Sequence, residues 1–320
     1  MDLKLKNTAY ITNHASHISR ILISVCLCLA VMTTSCRKTE TTPKEETKYD
    51  KTILIGLIPE QNIFEQIKRY EPLASYLSKK IKMNIKLKIL TRYGNIIDNF
   101  VSAGMDGAFF GSFTYTLAHA KLGVEVLTRP VSIEGTSTYH GLIFVRKDSG
   151  IKTARDMKMK TFAFVDKATT AGYIFPLVYF KKHNIKNYKI YFKERYFTGT
   201  HEHAVYDVLN KKADIGAAKN TVFYRLANVD SRILNELVIL AFSRDVPENG
   251  LAIRKDLGNS VKNKLKTALL DMHNDTAGKE VLKNFKAQKF IETTEDDYSN
   301  VYKYTKEIKL NLATYDYIND

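Results

Sequence analysis

Two hydrophobic patterns alternate along this chain from about residue 52 onward. Short apolar runs predict strands, and longer stretches with apolar positions three or four apart predict helices. The predicted strands cover residues 53–58, 85–90, 107–111, 124–127, 141–145, 161–165, 189–192, 215–218, 237–241 and 251–253. The predicted helices cover residues 64–79, 96–102, 113–121, 173–182, 202–209, 222–227 and a helical tail from residue 260 onward. This alternation indicates an α/β protein with mainly parallel sheets and helices on both faces.

The length of the chain indicates two such units rather than one. It has 320 residues, and single hydrophobic cores stop growing at about 250–300 residues. The charged, apolar and aromatic fractions are those of a folded soluble protein.

The formal net charge of +15 favours anionic partners. The lysines are spread along the chain, whereas a nucleic-acid-binding arm has a dense basic run. Residues 188–197 interleave aromatic and basic side chains, a pattern also found where bases stack on single-stranded nucleic acid. A half-buried strand explains the same alternation, so we expect no nucleic-acid partner.

The amino terminus has the pattern of an export signal. Basic residues precede an apolar run over residues 21–32, which is too short to span a bilayer comfortably. Small residues lead to Cys36, and this ending resembles the bacterial lipoprotein signal, which implies lipidation of Cys36. Cys36 is the last cysteine, so the mature domain would have no disulfide. Residues 37–51 are polar without an apolar period and predict a tether.

The junction over residues 161–176 predicts an anion site. An apolar strand ends at Asp166 and leads through a threonine-containing loop into a helix that begins near Tyr173. The first turn of a helix has unpaired N–H groups and the positive end of the helix dipole. Thr169 and Thr170 would add hydroxyl donors, although both are equally ordinary N-caps.

Metal and catalytic sites are less well supported. His201 and His203 flank Glu202, but residues two apart on a helix do not face each other, and no third ligand cluster is evident. The sequence contains no nucleophile elbow and no phosphate loop. We therefore predict no metal, no cofactor and no enzymatic activity.

Five segments together resemble a known family of transport proteins. In chain order they read IGLIPE, FFGSFTYTLAHAK, YHGLIFVRKDSGIKTARDMK, DKATTAGYIFP and TGTHEHAVYDVLNKKADIGAA. They are similar to the phosphonate-, phosphate- and phosphite-binding periplasmic proteins of ATP-driven (ABC) transporters. The likeness covers roughly residues 52–257.

This resemblance implies a two-lobed clamshell of the type II periplasmic binding protein class, with the ligand between the lobes. One lobe would comprise residues 52–142 plus 243–320, and the other residues 143–242. The family's anion loop falls on Thr169, Thr170 and Ala171, and Ala171 lacks the hydroxyl of its family counterpart. The resemblance also assigns Tyr93, Tyr139 and His201 to the ligand.

Two departures from the family bear on specificity. Relatives that bind 2-aminoethylphosphonate place carboxylates around the ammonium group, and the matching positions here are Val222 and Asn249. A buried ammonium without a carboxylate partner is costly to desolvate. We therefore expect a ligand without an amine, with Glu248 as a neighbour that could replace a missing carboxylate.

The resulting expectation is an exported, lipid-anchored, monomeric protein that captures a small phosphorus oxyanion by hinge closure. It would pass the anion to the permease and ATPase of an ABC transporter. Two alternatives remain open, namely an enzyme acting on a phosphate ester and a clamshell sensor or surface lipoprotein.

Overall fold

A computed structural model of the protein describes residues 49–60 and 62–319. The export signal, Cys36 and most of the tether lie outside the described residues. The strands are β1 Thr52–Leu57, β2 Asn84–Ile89, β3 Gly107–Phe110, β4 Glu125–Ser132, β5 Thr138–Tyr139, β6 Gly141–Arg146, β7 Thr161–Phe164, β8 Glu194–Phe197, β9 Ile215–Lys219, β10 Leu237–Phe242, β11 Val246–Pro247, β12 Gly250–Ile253 and β13 Ala287–Glu292. The helices are α1 Ile63–Ile81, α2 Asn95–Ser102, α3 Ser112–Leu122, α4 Phe175–Lys182, α5 Tyr188–Tyr191, α6 His201–Leu209, α7 Asn220–Ala227, α8 Arg232–Glu236, α9 Asn259–Leu270, α10 Thr276–Phe285 and α11 Ser299–Glu307.

These strands form two large mixed sheets and one small ribbon. The first sheet has the strand order β13-β4-β12-β3-β1-β2, and β1 is parallel to both β2 and β3. The second has the order β10-β6-β9-β7-β8, and β7 is parallel to both β8 and β9. Antiparallel strands complete each sheet. The α/β architecture with two large sheets agrees with the sequence pattern, but each sheet is mixed rather than mainly parallel, because antiparallel strands complete it.

The chain passes between the two sheets at β5 and again at β11. These two strands pair antiparallel, with Val246 opposite Tyr139 and Pro247 opposite Thr138. The paired crossings are therefore held together where the chain enters and leaves the second sheet.

The parallel strands direct their carboxyl ends toward one region of the molecule. The chain leaves β1 toward Glu60, β3 toward Gly111 and β9 at Lys219. Beyond β7, a π-helical turn over Thr170–Ile174 continues directly into α4. In open α/β sheets, ligands bind outside the carboxyl ends of the strands, so this arrangement positions a site.

Two sequence predictions of local structure are wrong. Residues 189–192 are not a strand, because the Asn187 side chain accepts the N–H of Lys189 and caps the short helix α5. The strand follows at β8. The tail after residue 260 is not helical throughout, because Lys286 adopts a left-handed conformation and ends α10 before β13. An edge strand with mixed polarity gives little periodic signal.

The carboxyl-terminal segment after α11 contacts elements on both sides of the molecule. Tyr317 Oη donates to Asp98 Oδ1 of α2 at 2.8 Å. Asn319 Nδ2 donates to Asp166 Oδ2 at 2.9 Å, just beyond β7. The segment therefore connects α2 with the loop at which the anion site is predicted.

Candidate ligand-binding site

A small cavity lies at the carboxyl ends of the strands. Its lining residues are Ile58, Glu60, Tyr93, Gly111, Ser112, Phe113, Thr114, Tyr139, Thr169, Thr170, His201, Lys219 and Asn249. Six of the sequence-predicted residues are brought together in it, namely Tyr93, Tyr139, Thr169, Thr170, His201 and Asn249.

The other two predicted residues do not line the cavity. Ala171 is 1% exposed, and its Cβ packs beside Gly141 of β6. Val222 packs in the hydrophobic cluster of the second sheet, together with Phe223 and Leu226. Neither side chain is among the groups that surround the cavity.

Several helices begin at the cavity, which supplies backbone donors. Helix α3 begins at Ser112, and its N-cap Gly111 provides no capping side chain. The N–H of Phe113 in the first turn donates to Thr170 Oγ1 at 3.0 Å. Helix α6 begins at His201, and α7 begins directly after Lys219. Helix N-termini attract anions because their first N–H groups and the helix dipole both favour negative charge.

The loop after β7 is shaped by its own hydrogen bonds. Thr169 Oγ1 donates to the carbonyl oxygen of Asp166 at 2.7 Å, and Ala168 N–H donates to Asp166 Oδ1 at 2.8 Å. Gly172 allows the chain to close, because a Cβ there would lie only 2.4 Å from the Cβ of Val165. Thr169 stands at the N-cap position but makes no side-chain capping bond. Its hydroxyl holds the loop, whereas the Thr170 hydroxyl reaches across to α3.

Tyr93 carries an unpaired donor at the cavity. Its side chain is 2% exposed, and its hydroxyl has no hydrogen-bond partner among the described residues. Burial, followed by the charge of Glu60, raises the pKa of Tyr93 well above its usual value, so the phenol keeps its proton. Leaving a buried hydroxyl unpaired costs about 1–3 kcal/mol, so this donor would gain from a partner in the cavity.

His201 presents a second neutral donor. The backbone N–H of Lys219 donates to His201 Nδ1 at 3.2 Å, which places the imidazole proton on Nε2. Burial lowers the pKa of His201 to about 3, so the ring is neutral at physiological pH. The Tyr93 and His201 rings meet edge to face, with their centroids 5.9 Å apart.

Tyr139 lines the cavity and also belongs to β5, which pairs with β11. The hydroxyl of Ser112 lies within hydrogen-bond distance of Tyr139 Oη at 2.8 Å and of the Pro247 carbonyl oxygen at 3.0 Å. Burial raises the pKa of Tyr139. The phenol therefore remains protonated and bonded to the start of α3.

Sequence reasoning missed an ionic cluster at the cavity. Lys219 Nζ lies 2.9 Å from Glu60 Oε1 and 2.6 Å from Glu248 Oε2. Burial lowers the pKa of Lys219, but the two carboxylates raise it more, and the net direction is upward. For Glu60, burial raises the pKa, but the charges of Lys219 and Arg69 outweigh this effect and lower it. Lys219 and Glu60 are therefore charged at neutral pH.

A sequence signal for this cluster exists but is weak. Glu60 and Lys219 each stand at the end of a buried strand that leads to the predicted site. A charged residue is equally common where a strand leads into a solvent-exposed loop, so its position alone does not indicate a buried cluster. Only the tertiary structure shows that the two side chains meet.

The described residues offer no metal centre. Within residues 49–60 and 62–319, no three His, Cys, Asp or Glu side chains gather into a cluster that could hold a metal ion. His201 is buried, whereas its neighbour His203 is exposed and lies 3.3 Å from the Thr198 carbonyl oxygen. The two imidazoles face different surroundings.

Two α/β sheets, a paired double crossing and a cavity at the strand ends define a type II periplasmic binding protein with two lobes. The family model described as the periplasmic substrate-binding protein of phosphonate ABC transporters matches residues 55–298. The match covers well over half of the chain, and the chain belongs to this family.

Individual relatives agree with this assignment. The chain is 24% identical over 228 residues to the phosphonates-binding periplasmic protein of Escherichia coli, covering 70% of this chain and 67% of the relative. A binding-protein component of an ABC phosphonate transporter from Pseudomonas aeruginosa has a TM-score of 0.73 and 23% identity, covering 81% of this chain and 87% of that structure. PhnD1 from Prochlorococcus marinus, solved with methylphosphonate, has a TM-score of 0.70 and 20% identity, covering 81% and 98%.

None of the helices within residues 49–60 and 62–319 combines the length and the apolar character that crossing a membrane requires.

Proposed function

We propose that this protein captures a small phosphorus oxyanion, namely a phosphonate, phosphate or phosphite, and delivers it to an ABC transporter. The unpaired hydroxyl of Tyr93 carries this proposal, because it is a buried donor on a residue that lines the cavity. An oxyanion would give this hydroxyl a charged acceptor, and such bonds are each worth about 1.5–3 kcal/mol.

The surrounding donors are suited to an anion rather than to a cation. The residues that begin α3 and α6, Ser112 and His201, both line the cavity, so two helix N-termini lie at its wall. His201 adds its Nε2 proton without adding charge. Glu60 and Glu248 are already paired with Lys219, so they do not offer free negative charge to the ligand.

Hinge closure would bring the donors together. We assign residues 52–142 and 243–320 to one lobe and residues 143–242 to the other, with β5 and β11 as the hinge. Tyr93 and the start of α3 then belong to one lobe, and Thr170 and His201 to the other. The bond from Phe113 N–H to Thr170 Oγ1 would form on closure, in the manner of hinge motions around bound ligands.

In this function the cavity binds a ligand and does not catalyse a reaction. Nδ1 of His201 is occupied by a backbone N–H, and the Ser112 hydroxyl contacts Tyr139 and Pro247 rather than an imidazole. A nucleophile next to a base is the usual signature of covalent catalysis, and these contacts do not provide it. The relatives are likewise described as binding proteins of transporters.

Export and anchoring complete the proposal. The sequence over residues 1–36 would direct export, and Cys36 would carry the lipid that anchors the protein to the membrane. The polar residues 37–51 would let a monomeric clamshell reach the permease of its transporter, and an ATPase would drive uptake.

A thermal-shift experiment tests the proposed function. Residues 37–320 would be heated with and without phosphate, phosphite and methylphosphonate, with sulfate as a control anion. A ligand at 100 times its Kd stabilises by about 2.7 kcal/mol, which is roughly 4–5 °C in Tm for a chain of this size, because the entropy of unfolding is about 2.1 cal/mol/K per residue. A shift with at least one phosphorus oxyanion is expected, and no shift with any of them contradicts the proposal.

A further inference from the structure

Lys219 places a buried ammonium group at the edge of the cavity. The residue is 3% exposed and lines the cavity at the end of β9. Its Nζ contacts Glu60, which follows β1 of the first sheet, and Glu248, which lies between β11 and β12. The same nitrogen lies 4.4 Å from the ring centroid of Tyr139.

This environment satisfies a primary ammonium completely. An ammonium has three donors and no acceptor, and two carboxylates and an aromatic ring face surround this one. Carboxylates with an aromatic face also form a suitable receptor for the ammonium of a small ligand. Here the protein's own side chain occupies that receptor, next to the donors that await an oxyanion.

Lys219 already pairs with both carboxylates of the cluster. The charge of Arg69 acts together with that of Lys219 to lower the pKa of Glu60. A second ammonium brought in by a ligand would meet Lys219 in a low-dielectric cavity without a free carboxylate, which is unfavourable.

We propose that the Lys219 ammonium occupies the position between Glu60 and Glu248 that the ammonium of an aminoalkylphosphonate would otherwise take. The site is thereby restricted to phosphorus oxyanions without an amine. This inference rests on the proposed function and names the ligand class of the same cavity. It assigns the specificity to Lys219 rather than to Val222, which packs away from the cavity.

The test uses two ligands that differ in charge but little in shape. In 2-aminoethylphosphonate the chain ends in an ammonium, whereas in propylphosphonate it ends in a methyl group. Both would be titrated calorimetrically into the wild-type protein and into Lys219→Met, with methylphosphonate as the reference ligand. Lys219→Met keeps an unbranched side chain and leaves Glu60 and Glu248 without their shared cation.

The wild-type protein is expected to bind methylphosphonate at least about 10-fold more tightly than it binds 2-aminoethylphosphonate. In Lys219→Met, the affinity for 2-aminoethylphosphonate should rise about 10-fold or more, while that for propylphosphonate should not. An equal gain for both ligands would show that the substitution only created space, and it would overturn the inference. Tighter wild-type binding of the amino compound would also overturn it.

A triple variant controls for folding and for charge. Glu60→Gln and Glu248→Gln added to Lys219→Met leave no unpaired buried charge, so this protein should fold even where Lys219→Met does not. It is expected to bind methylphosphonate without gaining affinity for 2-aminoethylphosphonate, and a gain there would count against the inference. A wild-type protein that binds no phosphorus oxyanion would instead defeat the proposed function itself.

Discussion

The backbone N–H of Lys219 donates to Nδ1 of His201 and thereby fixes the proton of the imidazole on Nε2. The backbone of one cavity residue thus sets the tautomer of another cavity residue that lies on a different element. Lys219 uses its ammonium for Glu60 and Glu248 and its backbone to orient His201. The start of α6 then presents a neutral ring with a defined donor to the cavity.

The buried neutral state of His201 predicts a pH dependence of stability. The pKa of His201 is about 3 in the folded protein against 6.5 for the ordinary side chain. Between these values the unfolded chain binds more protons, so the free energy of unfolding should fall as pH decreases through this window, by at most about 1.4 kcal/mol per pH unit. Urea unfolding of the wild type and His201→Gln at about pH 7 and about pH 4.5 measures this contribution.

Gln at position 201 cannot titrate but can still accept a hydrogen bond. The wild type should lose more stability on acidification than His201→Gln does. Equal losses in the two proteins would show that His201 does not carry this dependence.

The two threonines of the loop are expected to behave differently. Thr169→Val removes the hydroxyl that donates to Asp166 within the loop, so it should lower the free energy of unfolding by about 1 kcal/mol. Thr170→Val removes the hydroxyl at the cavity that accepts from Phe113, so it should weaken oxyanion binding by about 1.5–3 kcal/mol. Denaturation and calorimetric titration of both variants separate the two effects. If neither variant binds more weakly, the ligand does not use this loop.

Sequence patterns predicted most of the architecture for physical reasons. Buried strands such as β1 and β9 are continuous apolar runs, and α1 has a clear helical period. Short or edge elements were mispredicted, because the capping by Asn187 and the left-handed Lys286 are local features without a periodic signal.

The candidate site was predicted in part, and the missing part depends on tertiary contacts. Tyr93, Thr170 and His201 belong to segments that resemble the family, and they meet at the cavity. The contact between Lys219 and Glu60 joins residues 159 positions apart in the chain, and no local pattern encodes it. Val222 matched a family position by alignment, yet its side chain faces the core of the second sheet.

The carboxyl-terminal segment is expected to stabilise the loop at the site. Asn319 Oδ1 accepts the N–H of Lys167 at 2.9 Å, its Nδ2 donates to Asp166, and Tyr315 Oη donates to the Lys167 carbonyl oxygen at 3.0 Å. Deleting residues 314–320 removes these bonds, which are each worth about 1 kcal/mol. The deletion should lower Tm and accelerate release of a bound oxyanion, as measured by thermal denaturation and stopped-flow fluorescence.

Asn319→Ala provides a finer version of this experiment because it keeps Tyr315 and Tyr317 in place. It should show a smaller effect in the same direction. Unchanged Tm and release rate in the deletion variant would mean that the segment does not support the loop.

In the proposed function the Tyr93 hydroxyl pairs with the bound oxyanion, and Tyr93→Phe tests this role because the substitution removes only that oxygen. Calorimetric titration with methylphosphonate, phosphate and phosphite should show binding weakened by about 1.5–3 kcal/mol, while unfolding of the ligand-free protein should show stability unchanged or raised, since an unpaired buried hydroxyl has been removed. Unchanged affinity for every oxyanion that the wild type binds, or a ligand-free protein made less stable by the substitution, would contradict this role.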